Sequence, residues 1–370
     1  MNRILGIINL HNEKDLGEIT LKRSLGSLTF LGRYSFCDIP LSNFGNSKIN
    51  STVVLVKKNI RSIIKHIDDS RVYSENSKLG SSVTLFNERS ANSDLYNTDI
   101  NNLLENKWIF DENDFDYVVI APTHMIYRLN FQDVIHQHQL LKSEITVCYK
   151  KIKNGKKEFT NSDAYLIDEN NHLRGIYVNK GTENEINVSM ETYVINTTKF
   201  LEILDFANRT SQFFTLRDVL KYICTTLDID TFEYQGYLKS IDSLSSYLKC
   251  SLELLDSNVL NQLMNDNWPI NTKTHDTPPA RYLEHAEVTN SFISNGAIID
   301  GKVENSVICR SVKISKNAII KNSIILSDSI ISDGVRLENV IVDKNCKIIH
   351  VKSLKGSKNR PIYIKQGDIV

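Results

Sequence analysis

The sequence predicts an α/β domain built on a parallel sheet, followed by a C-terminal left-handed parallel β-helix. Over residues 1–265, short apolar runs typical of strands alternate with helical stretches, as they do in sheets covered by helices. Beyond residue 280, one tetrapeptide pattern recurs at a nearly constant interval. Between these parts, three of the six prolines fall within the twelve residues 268–279. Because proline continues neither a helix nor a central strand, we place a linker at 266–279.

The α/β part is predicted from its alternating segments. Strands are expected at 4–8, 52–57, 117–121 and 145–150, and helices at 60–67 and 131–141. Residues 74–106 are polar and rich in Asn and Ser, so they are predicted as a surface loop with one short helix. Parallel sheets bind ligands at the carboxyl ends of their strands. We therefore expect the functional site at that edge.

The β-helix of residues 280–370 is predicted from an internal repeat. The pattern Asn-Ser-Phe-Ile at 290–293 returns as Asn-Ser-Val-Ile at 305–308, Asn-Ser-Ile-Ile at 322–325 and Asn-Val-Ile-Val at 339–342, at intervals of 15, 17 and 17 residues. Such an interval matches one turn of a three-sided coil, in which stacked strands bury a column of Ile and Val. We expect Asn290, Asn305, Asn322 and Asn339 on successive coils. The alternative, a β-sandwich, does not explain near-identical tetrapeptides.

Composition and charge exclude several classes of protein. Of 370 residues, 41% are apolar and 24% charged, values typical of a folded globular chain. The 44 basic residues equal the 44 acidic ones, which argues against nucleic acid as a partner. Apolar runs are too short for a membrane span, and no export signal is evident. The six cysteines are scattered without a C-x-x-C pair, so we expect reduced thiols, no zinc site and a cytoplasmic protein.

Three motifs carry a resemblance to a known family. Residues 33–43 (RYSFCDIPLSN), 278–282 (PPARY) and 303–310 (VENSVICR) resemble segments of ADP-glucose pyrophosphorylase, or glucose-1-phosphate adenylyltransferase. The resemblance implies a Rossmann-like nucleotidyltransferase domain followed by a left-handed β-helix. It implies transfer of an adenylyl group from ATP to glucose 1-phosphate, with Mg²⁺ in the reaction. Residues 189–194 and 354–364 resemble the GlgD-type branch of divergent, regulatory subunits.

The resemblance also implies that the phosphate-binding positions are degenerate here. Catalytic members carry G-G-x-G-x-R after the first strand, and the matching residues 10–15 lack all three glycines. Asp15 replaces the arginine, so a carboxylate stands where a triphosphate would bind. Leu25 replaces the lysine of the R-A-K-P motif. Both changes remove groups that would hold phosphate.

The two metal-binding aspartates of catalytic members are replaced as well. The aligned residues are His124, within APTHMIY at 121–127, and Ser240. Hard Mg²⁺ prefers oxygen ligands, so a histidine is a poor substitute. We therefore expect no catalytic residues, no metal site and no cofactor in this chain, with Mg²⁺ bound only by a catalytic partner subunit.

The expected role is that of a regulatory subunit in a hetero-tetramer with a catalytic subunit. Lys22 and Arg23 match a region that binds sugar-phosphate activators in catalytic members, and are candidates for an effector site, although a pair of surface charges is the alternative. Asp38, Ser42 and Asn43 match the family motif, and we assign them a scaffold role. Two functions remain open besides the regulatory one: an active nucleotidyltransferase with a rebuilt site, and an acyltransferase.

Overall fold

The computed structural model describes residues 2–67, 81–86, 93 and 95–370. The chain divides into two compact units, one of Met1–Glu13 and Ile39–Ser240, the other of Lys14–Asp38 and Ile241–Val370. The predicted domain boundaries, 1–265 and 280–370 around a linker, stay predictions. Contacts group the chain differently, because residues 14–38 and 241–265 belong to the same compact unit as the β-helix. In the described part of the chain, no helix is long and apolar enough to span a membrane.

The elements are numbered in chain order. The strands that precede the β-helix are β1 Ile4–Asn9, β2 Thr29–Phe30, β3 Tyr34–Ser35, β4 Ser51–Val56, β5 Ser81–Phe86, β6 Tyr117–Pro122, β7 Met125–Tyr127, β8 Ile145–Ile152, β9 Asp163–Ile167, β10 Leu173–Val178, β11 Ile186–Asn196, β12 Asp230–Glu233 and β13 Leu238–Ser240. The helices are α1 Glu18–Leu21, α2 Asp38–Asn46, α3 Ile60–Ile67, α4 Asp99–Glu105, α5 Trp108–Asp111, α6 Phe131–Leu140, α7 Thr197–Thr210, α8 Leu216–Ile223, α9 Leu244–Glu253 and α10 Ser257–Leu263.

The strands of the β-helix follow the linker. They are β14 Arg281–Tyr282, β15 Glu287–Thr289, β16 Phe292–Ile293, β17 Ile298–Ile299, β18 Lys302–Glu304, β19 Val307–Ile308, β20 Lys313–Ile314, β21 Ile319–Lys321, β22 Ile324–Ile325, β23 Ile330–Ile331, β24 Arg336–Glu338, β25 Val340–Val342, β26 Lys347–Ile348, β27 Ser353–Lys355 and β28 Ile362–Ile364.

The first unit is built on a sheet whose strands run in the order β10-β9-β11-β6-β1-β4-β5, with β8 between β11 and β12. Strands β1, β4, β5 and β6 are parallel, and Ile7 of β1 lies opposite Val53 of β4 and Ile120 of β6. Strands β1, β4 and β6 are mostly apolar, as expected where helices cover both faces of a parallel sheet. The α/β class predicted from the sequence is confirmed, including the strands and helices expected at its segments.

One prediction in this unit is wrong. Within the polar segment 74–106 the structure forms strand β5, which pairs in parallel with β4, where a surface loop was expected. The short helix expected there is present as α4. The strand escaped prediction because only its parallel pairing with β4 makes this short segment regular. Residues 74–80, 87–92 and 94 of the predicted loop lie outside the described residues.

The second unit contains a parallel β-helix of three five-stranded sheets. Each sheet takes every third strand, as in the order β16-β19-β22-β25-β28, and all neighbours are parallel. The inward column of this sheet includes Ile308, Ile325 and Val342, all fully buried. The predicted architecture is therefore confirmed, and the β-sandwich alternative is wrong.

The structure explains why all four tetrapeptides begin with Asn and why the first three continue with Ser. Asn290, Asn305, Asn322 and Asn339 all adopt positive φ, between 43° and 53°, a turn conformation that Asn tolerates better than most residues. Their amides also bond between coils, as from Asn290 Nδ2 to Asn305 Oδ1 at 2.9 Å. The serine hydroxyl accepts a hydrogen bond from the backbone of the next coil: Ser323 N donates to Ser306 Oγ at 3.1 Å. Both side chains therefore form hydrogen bonds between successive coils.

Candidate functional site

The candidate site of the first unit lies at the carboxyl ends of β1 and β6. The sheet order places β4 on one side of β1 and β6 on the other, so the connection reverses direction at this point. Open α/β sheets bind ligands at such a switch point. Residues 10–13 follow β1, and Thr123 and His124 follow β6. This edge is therefore where a nucleotide would be held in an active nucleotidyltransferase fold.

The loop after β1 is occupied by a buried histidine. The backbone N of His11 donates to Asn9 Oδ1 at 2.9 Å, its ring Nδ1 lies 3.3 Å from Asn97 O, and its Nε2 lies 3.0 Å from Asn102 Nδ2. These contacts fit a neutral ring that donates from Nδ1 to the carbonyl and accepts at Nε2. Burial lowers the pKa of His11 to about 3. A neutral side chain with both nitrogens engaged thus fills the position of a phosphate-loop glycine.

Helix α4 supplies the other side of this network. Thr98 caps its first turn by accepting from Asn101 N at 3.1 Å, which fixes Asp99 and Asn102 on the helix. Asp99 Oδ2 accepts from Asn9 Nδ2 at 2.8 Å, and burial raises the pKa of the Asp99 carboxyl. The polar groups after β1 are thus bonded to one another, which satisfies them without a ligand.

Glu13 ends the loop beside β6. Its Oε1 accepts from Thr123 Oγ1 at 3.2 Å, and Thr123 is fully buried. The carboxylate stands at the last glycine position of the family's loop, as the alignment places it. A triphosphate near Glu13 would meet a like charge, which opposes binding.

The two predicted metal positions lie next to each other. Strand β13 pairs antiparallel with β7, and Ser240 is opposite Met125, the residue after His124. Within the described residues, His124 Nδ1 and Ser240 Oγ are both buried without a hydrogen-bond partner. The structure therefore brings together the two positions at which catalytic relatives are expected to carry aspartates.

Glu191 is the residue that sequence reasoning missed. His124 Nε2 lies 3.1 Å from Glu191 Oε1, and the side chains are 0% and 7% exposed. Glu191 has a φ of 49° and sits where the pairing of β11 with β8 shifts register, between Ser189 and Thr192. This β-bulge turns the carboxylate toward the imidazole. The signal was a single charged residue within the strand run 186–196, since a buried charge requires a partner.

This site does not fit Mg²⁺. An imidazole and a hydroxyl occupy the expected positions, and the neighbouring Glu191 carboxylate is bonded to the imidazole. Among the described residues, His124, Glu191 and Glu13 do not belong to any group of three His, Cys, Asp or Glu side chains close enough to bind one metal ion. Mg²⁺ requires near-octahedral oxygen coordination, usually with carboxylates. We therefore derive no metal-dependent step for this chain.

The remaining predicted positions belong to the second unit. Asp15 is exposed, and its Oδ1 accepts from Gly17 N at 2.8 Å and from Thr20 Oγ1 at 2.9 Å, at the start of α1. Leu25 is buried, 1% exposed, in a single 3₁₀ turn. Asp15 thus shapes a local turn, and Leu25 packs in the core of its unit.

The two effector candidates differ in their surroundings. Lys22 is exposed, whereas Arg23 is 8% exposed and pairs with Asp343 at 2.9 Å. Its Nη2 also donates to Gln366 Oε1 at 3.0 Å. Asp343 accepts in addition from Tyr363 Oη at 2.6 Å. Arg23 is therefore part of a buried network, and effector binding by this pair stays a prediction.

The scaffold role assigned to the family motif is confirmed for two residues. Asp38 Oδ2 accepts from Ser35 N at 2.8 Å in the second unit. In the first unit, Asn43 Nδ2 donates to Tyr127 O at 3.0 Å, and Asn43 Oδ1 accepts from Leu129 N at 3.4 Å. Both side chains hold backbone segments in place through hydrogen bonds, as expected for buried polar groups.

Comparison with known proteins agrees with both parts of the chain. Residues 14–159 match the nucleotidyl transferase family model, and residues 278–354 match the model of the GlmU-like C-terminal hexapeptide. The glycogen biosynthesis protein GlgD of Bacillus subtilis is 27% identical over 99% of this chain and 96% of its own length.

Catalytic relatives match over a smaller share. The glucose-1-phosphate adenylyltransferases of Thermomicrobium roseum and Lachnospira eligens are 23% and 26% identical, each over 76% of this chain and 66% of their own length. The chain is thus similar to glucose-1-phosphate adenylyltransferases over about three quarters of its length, and to GlgD over nearly all of it.

Proposed function

We propose that this chain is a non-catalytic, regulatory subunit of glucose-1-phosphate adenylyltransferase in glycogen biosynthesis. Its partner would convert ATP and glucose 1-phosphate to ADP-glucose and pyrophosphate, and would hold the Mg²⁺ that the reaction requires. One observation carries the proposal: the adjacent positions expected to hold two metal-binding aspartates contain His124 and Ser240. Adenylyl transfer depends on neutralising developing phosphate charge, so losing these carboxylates removes the metal from the reaction centre.

The loop after β1 supports the same proposal. His11 and Glu13 replace small residues whose backbone amides would approach the phosphates, and their side chains are bonded to neighbouring protein groups. Each lost phosphate contact or metal ligand typically costs several kcal/mol of transition-state stabilisation, and every ~1.4 kcal/mol is tenfold in rate. The combined changes would bring turnover of the isolated chain below detection.

We further propose that the working form is a hetero-tetramer with a catalytic subunit in the cytoplasm. A family member that has lost catalytic activity can act only through contact with a subunit that has retained that activity. The six cysteines are all free and buried, which suits a reducing compartment. If the two co-expressed subunits elute separately at micromolar concentration, the regulatory proposal loses its mechanism.

The test is an assay of ADP-glucose formation from ATP, glucose 1-phosphate and Mg²⁺. We expect negligible activity from the purified chain, and altered kcat or KM when it is added to its catalytic subunit. An equal amount of heat-unfolded chain is the control for nonspecific effects. Robust Mg²⁺-dependent activity of the unmodified chain alone would overturn the proposal.

A second candidate is an active nucleotidyltransferase with a rebuilt site. One observation favours it: Nδ1 of His124 is free of hydrogen bonds in the described structure, while Nε2 contacts Glu191. A carboxylate that orients an imidazole is a common arrangement for a general base. If this candidate is right, the isolated chain is active, and His124→Gln abolishes that activity without changing the fold.

A further inference from the structure

Charged side chains on one face of the β-helix alternate in sign from coil to coil. In the sheet β15-β18-β21-β24-β27, the strands from β18 to β27 carry, in register, an outward column of Glu304, Lys321, Glu338 and Lys355. Lys321 Nζ lies 3.0 Å from Glu304 Oε1, and Lys355 Nζ lies 2.9 Å from Glu338 Oε2. We call this column the charge ladder. In it, a lysine of one coil is paired with a glutamate of the coil beside it.

The charge ladder ends on a lysine. Lys355 lies on β27, the terminal strand of its sheet, and its side chain is 70% exposed. It has a ladder neighbour on one side, Glu338. Opposite charges that face each other on adjacent strands stabilise a sheet. A strand added next to β27 would therefore continue the ladder if it placed a carboxylate opposite Lys355.

The last coil carries further positive charge around β27. Residues 344–367 contain seven lysine and arginine residues and no aspartate or glutamate. Lys352 precedes β27, and Lys358 and Arg360 follow it; all three are exposed, and they form no ion pair among the described residues. Like charges at short range repel one another, so this coil favours an anionic partner.

The backbone of β27 offers a place for such a partner. Its inner edge is bonded to β24, as from Gly356 N to Glu338 O at 2.8 Å. Because consecutive residues of a strand direct their backbone groups to opposite edges, the N–H and C=O groups of Ser353 and Lys355 face away from β24. Within the described part of the chain, no strand pairs with this outer edge.

The other two terminal strands of the β-helix differ from β27. The outer edge of β26 is occupied, since Lys347 N donates to Asp368 O and accepts through its carbonyl from Val370 N, both at 2.9 Å. Strand β28 has no charged residue. Exposed lysines on an edge strand oppose pairing with neutral or basic strands, so at β27 they select an acidic one.

We propose that the outer edge of β27 binds an extended acidic segment of a partner protein as an added strand. The segment pairs with the backbone of Ser353 and Lys355, and its alternate carboxylates face Lys355 and the flanking Lys352 and Lys358. Backbone pairing supplies affinity, and the charges supply specificity. Binding at this edge does not depend on the proposed regulatory function, which the assay of ADP-glucose formation tests separately.

The experiment measures peptide binding to the purified full chain by fluorescence anisotropy. The probe is a labelled octapeptide of alternating Glu and Thr, and the reference is the same peptide with Gln in place of Glu. We expect saturable binding of the Glu peptide at about 50 mM salt and weaker binding at about 300 mM, because salt screens exposed charges. The Gln peptide should bind at least about tenfold more weakly, because it forms no ion pairs.

Two further probes separate strand addition from attraction between charges. One is the Glu peptide N-methylated throughout, which keeps its carboxylates but has no backbone donor. It should bind at least about tenfold more weakly than the Glu peptide, because it cannot pair as a strand. The other is a single-stranded oligo(dT) of equal charge, which should also bind more weakly because it has no peptide backbone.

Variants of the chain locate the site. The triple variant Lys352→Gln, Lys355→Gln, Lys358→Gln should weaken binding of the Glu peptide about tenfold, because three exposed ion pairs are lost. Ser353→Pro removes a backbone donor of the outer edge without changing the charge, and should also weaken binding. Lys313→Gln, at an exposed position of β20 within another sheet, should bind like the wild type. Circular dichroism checks each fold, and if one edge variant does not fold, the other provides the test.

Several results would overturn the proposal. The wild type binds the Glu peptide no better than the Gln peptide, or the folded edge variants bind it as the wild type does. Equal binding of the N-methylated peptide would exclude strand addition, and equal binding of oligo(dT) would make the coil a general polyanion site. If peptide binding is as expected but the chain leaves its catalytic subunit unaffected, only the proposed regulatory function fails.

Discussion

The burial of His11 predicts how the stability of the protein changes at acid pH. Measuring that change tests whether His11 is held neutral in the loop after β1. Its pKa is lowered from 6.5 to about 3 by burial, so the folded protein holds a neutral imidazole where the unfolded chain holds a protonated one below pH 6.5. The unfolded state therefore binds more protons, and stability falls as the pH decreases from about 6.5 toward 3. Above pH 6.5 the contribution of His11 is complete.

The size of the effect follows from this pKa difference. A group with a pKa of 6.5 unfolded and about 3 folded should lower the free energy of unfolding by about 2 kcal/mol between pH 8 and pH 5. The variant His11→Gln keeps an amide donor and acceptor but cannot titrate, so it should lose about 2 kcal/mol less over that range. His138, whose pKa is also lowered by burial, is present in both proteins and cancels in the comparison.

The measurement is urea unfolding at pH 8 and pH 5. The chain has two tryptophans, so Trp268→Phe leaves Trp108 as the fluorescence probe of the first unit. His136→Gln is the matched control, since His136 is exposed on α6 and should follow the parent protein. If His11→Gln loses as much stability on acidification as the parent does, then His11 is not held neutral in the loop and the interpretation of that site is refuted.

Two further predictions concern other buried groups. Glu191→Ala should lower the free energy of unfolding by about 1–3 kcal/mol, because it leaves the His124 imidazole without its partner, whereas Glu191→Gln should cost less. Urea unfolding of the pair checks this, and equal costs would show that the carboxylate does not hold His124. In the β-helix, Ile320→Ala should cost about 2–5 kcal/mol by opening a cavity, whereas Lys321→Ala, which breaks an exposed pair with Glu304, should cost less than ~1 kcal/mol. Thermal unfolding measures both, and a larger loss for Lys321→Ala would contradict the assigned inward and outward faces.

The sequence alone predicted the two architectures and, through the family resemblance, the positions expected to be degenerate. The recurring tetrapeptide predicted the β-helix because each coil repeats the same local conformation, with Asn at the turn and, in the first three copies, Ser bonded to the next coil. Strand and helix periodicity likewise predicted the central strands of the α/β unit. His124 and Ser240 were found by aligning motifs, which requires no knowledge of their surroundings.

The tertiary structure decided which distant residues meet. Strand β5 exists because β4 pairs with it, and Glu191 reaches His124 across 67 residues through a β-bulge. One cavity of the second unit is lined by both Arg33 and Arg310, which are far apart in the chain. Hydrophobic periodicity encodes the face that a residue presents within its own element, and contains no information on which element will lie opposite. That pairing is set by the packing of the whole unit, and so the site partners were visible only in the folded chain.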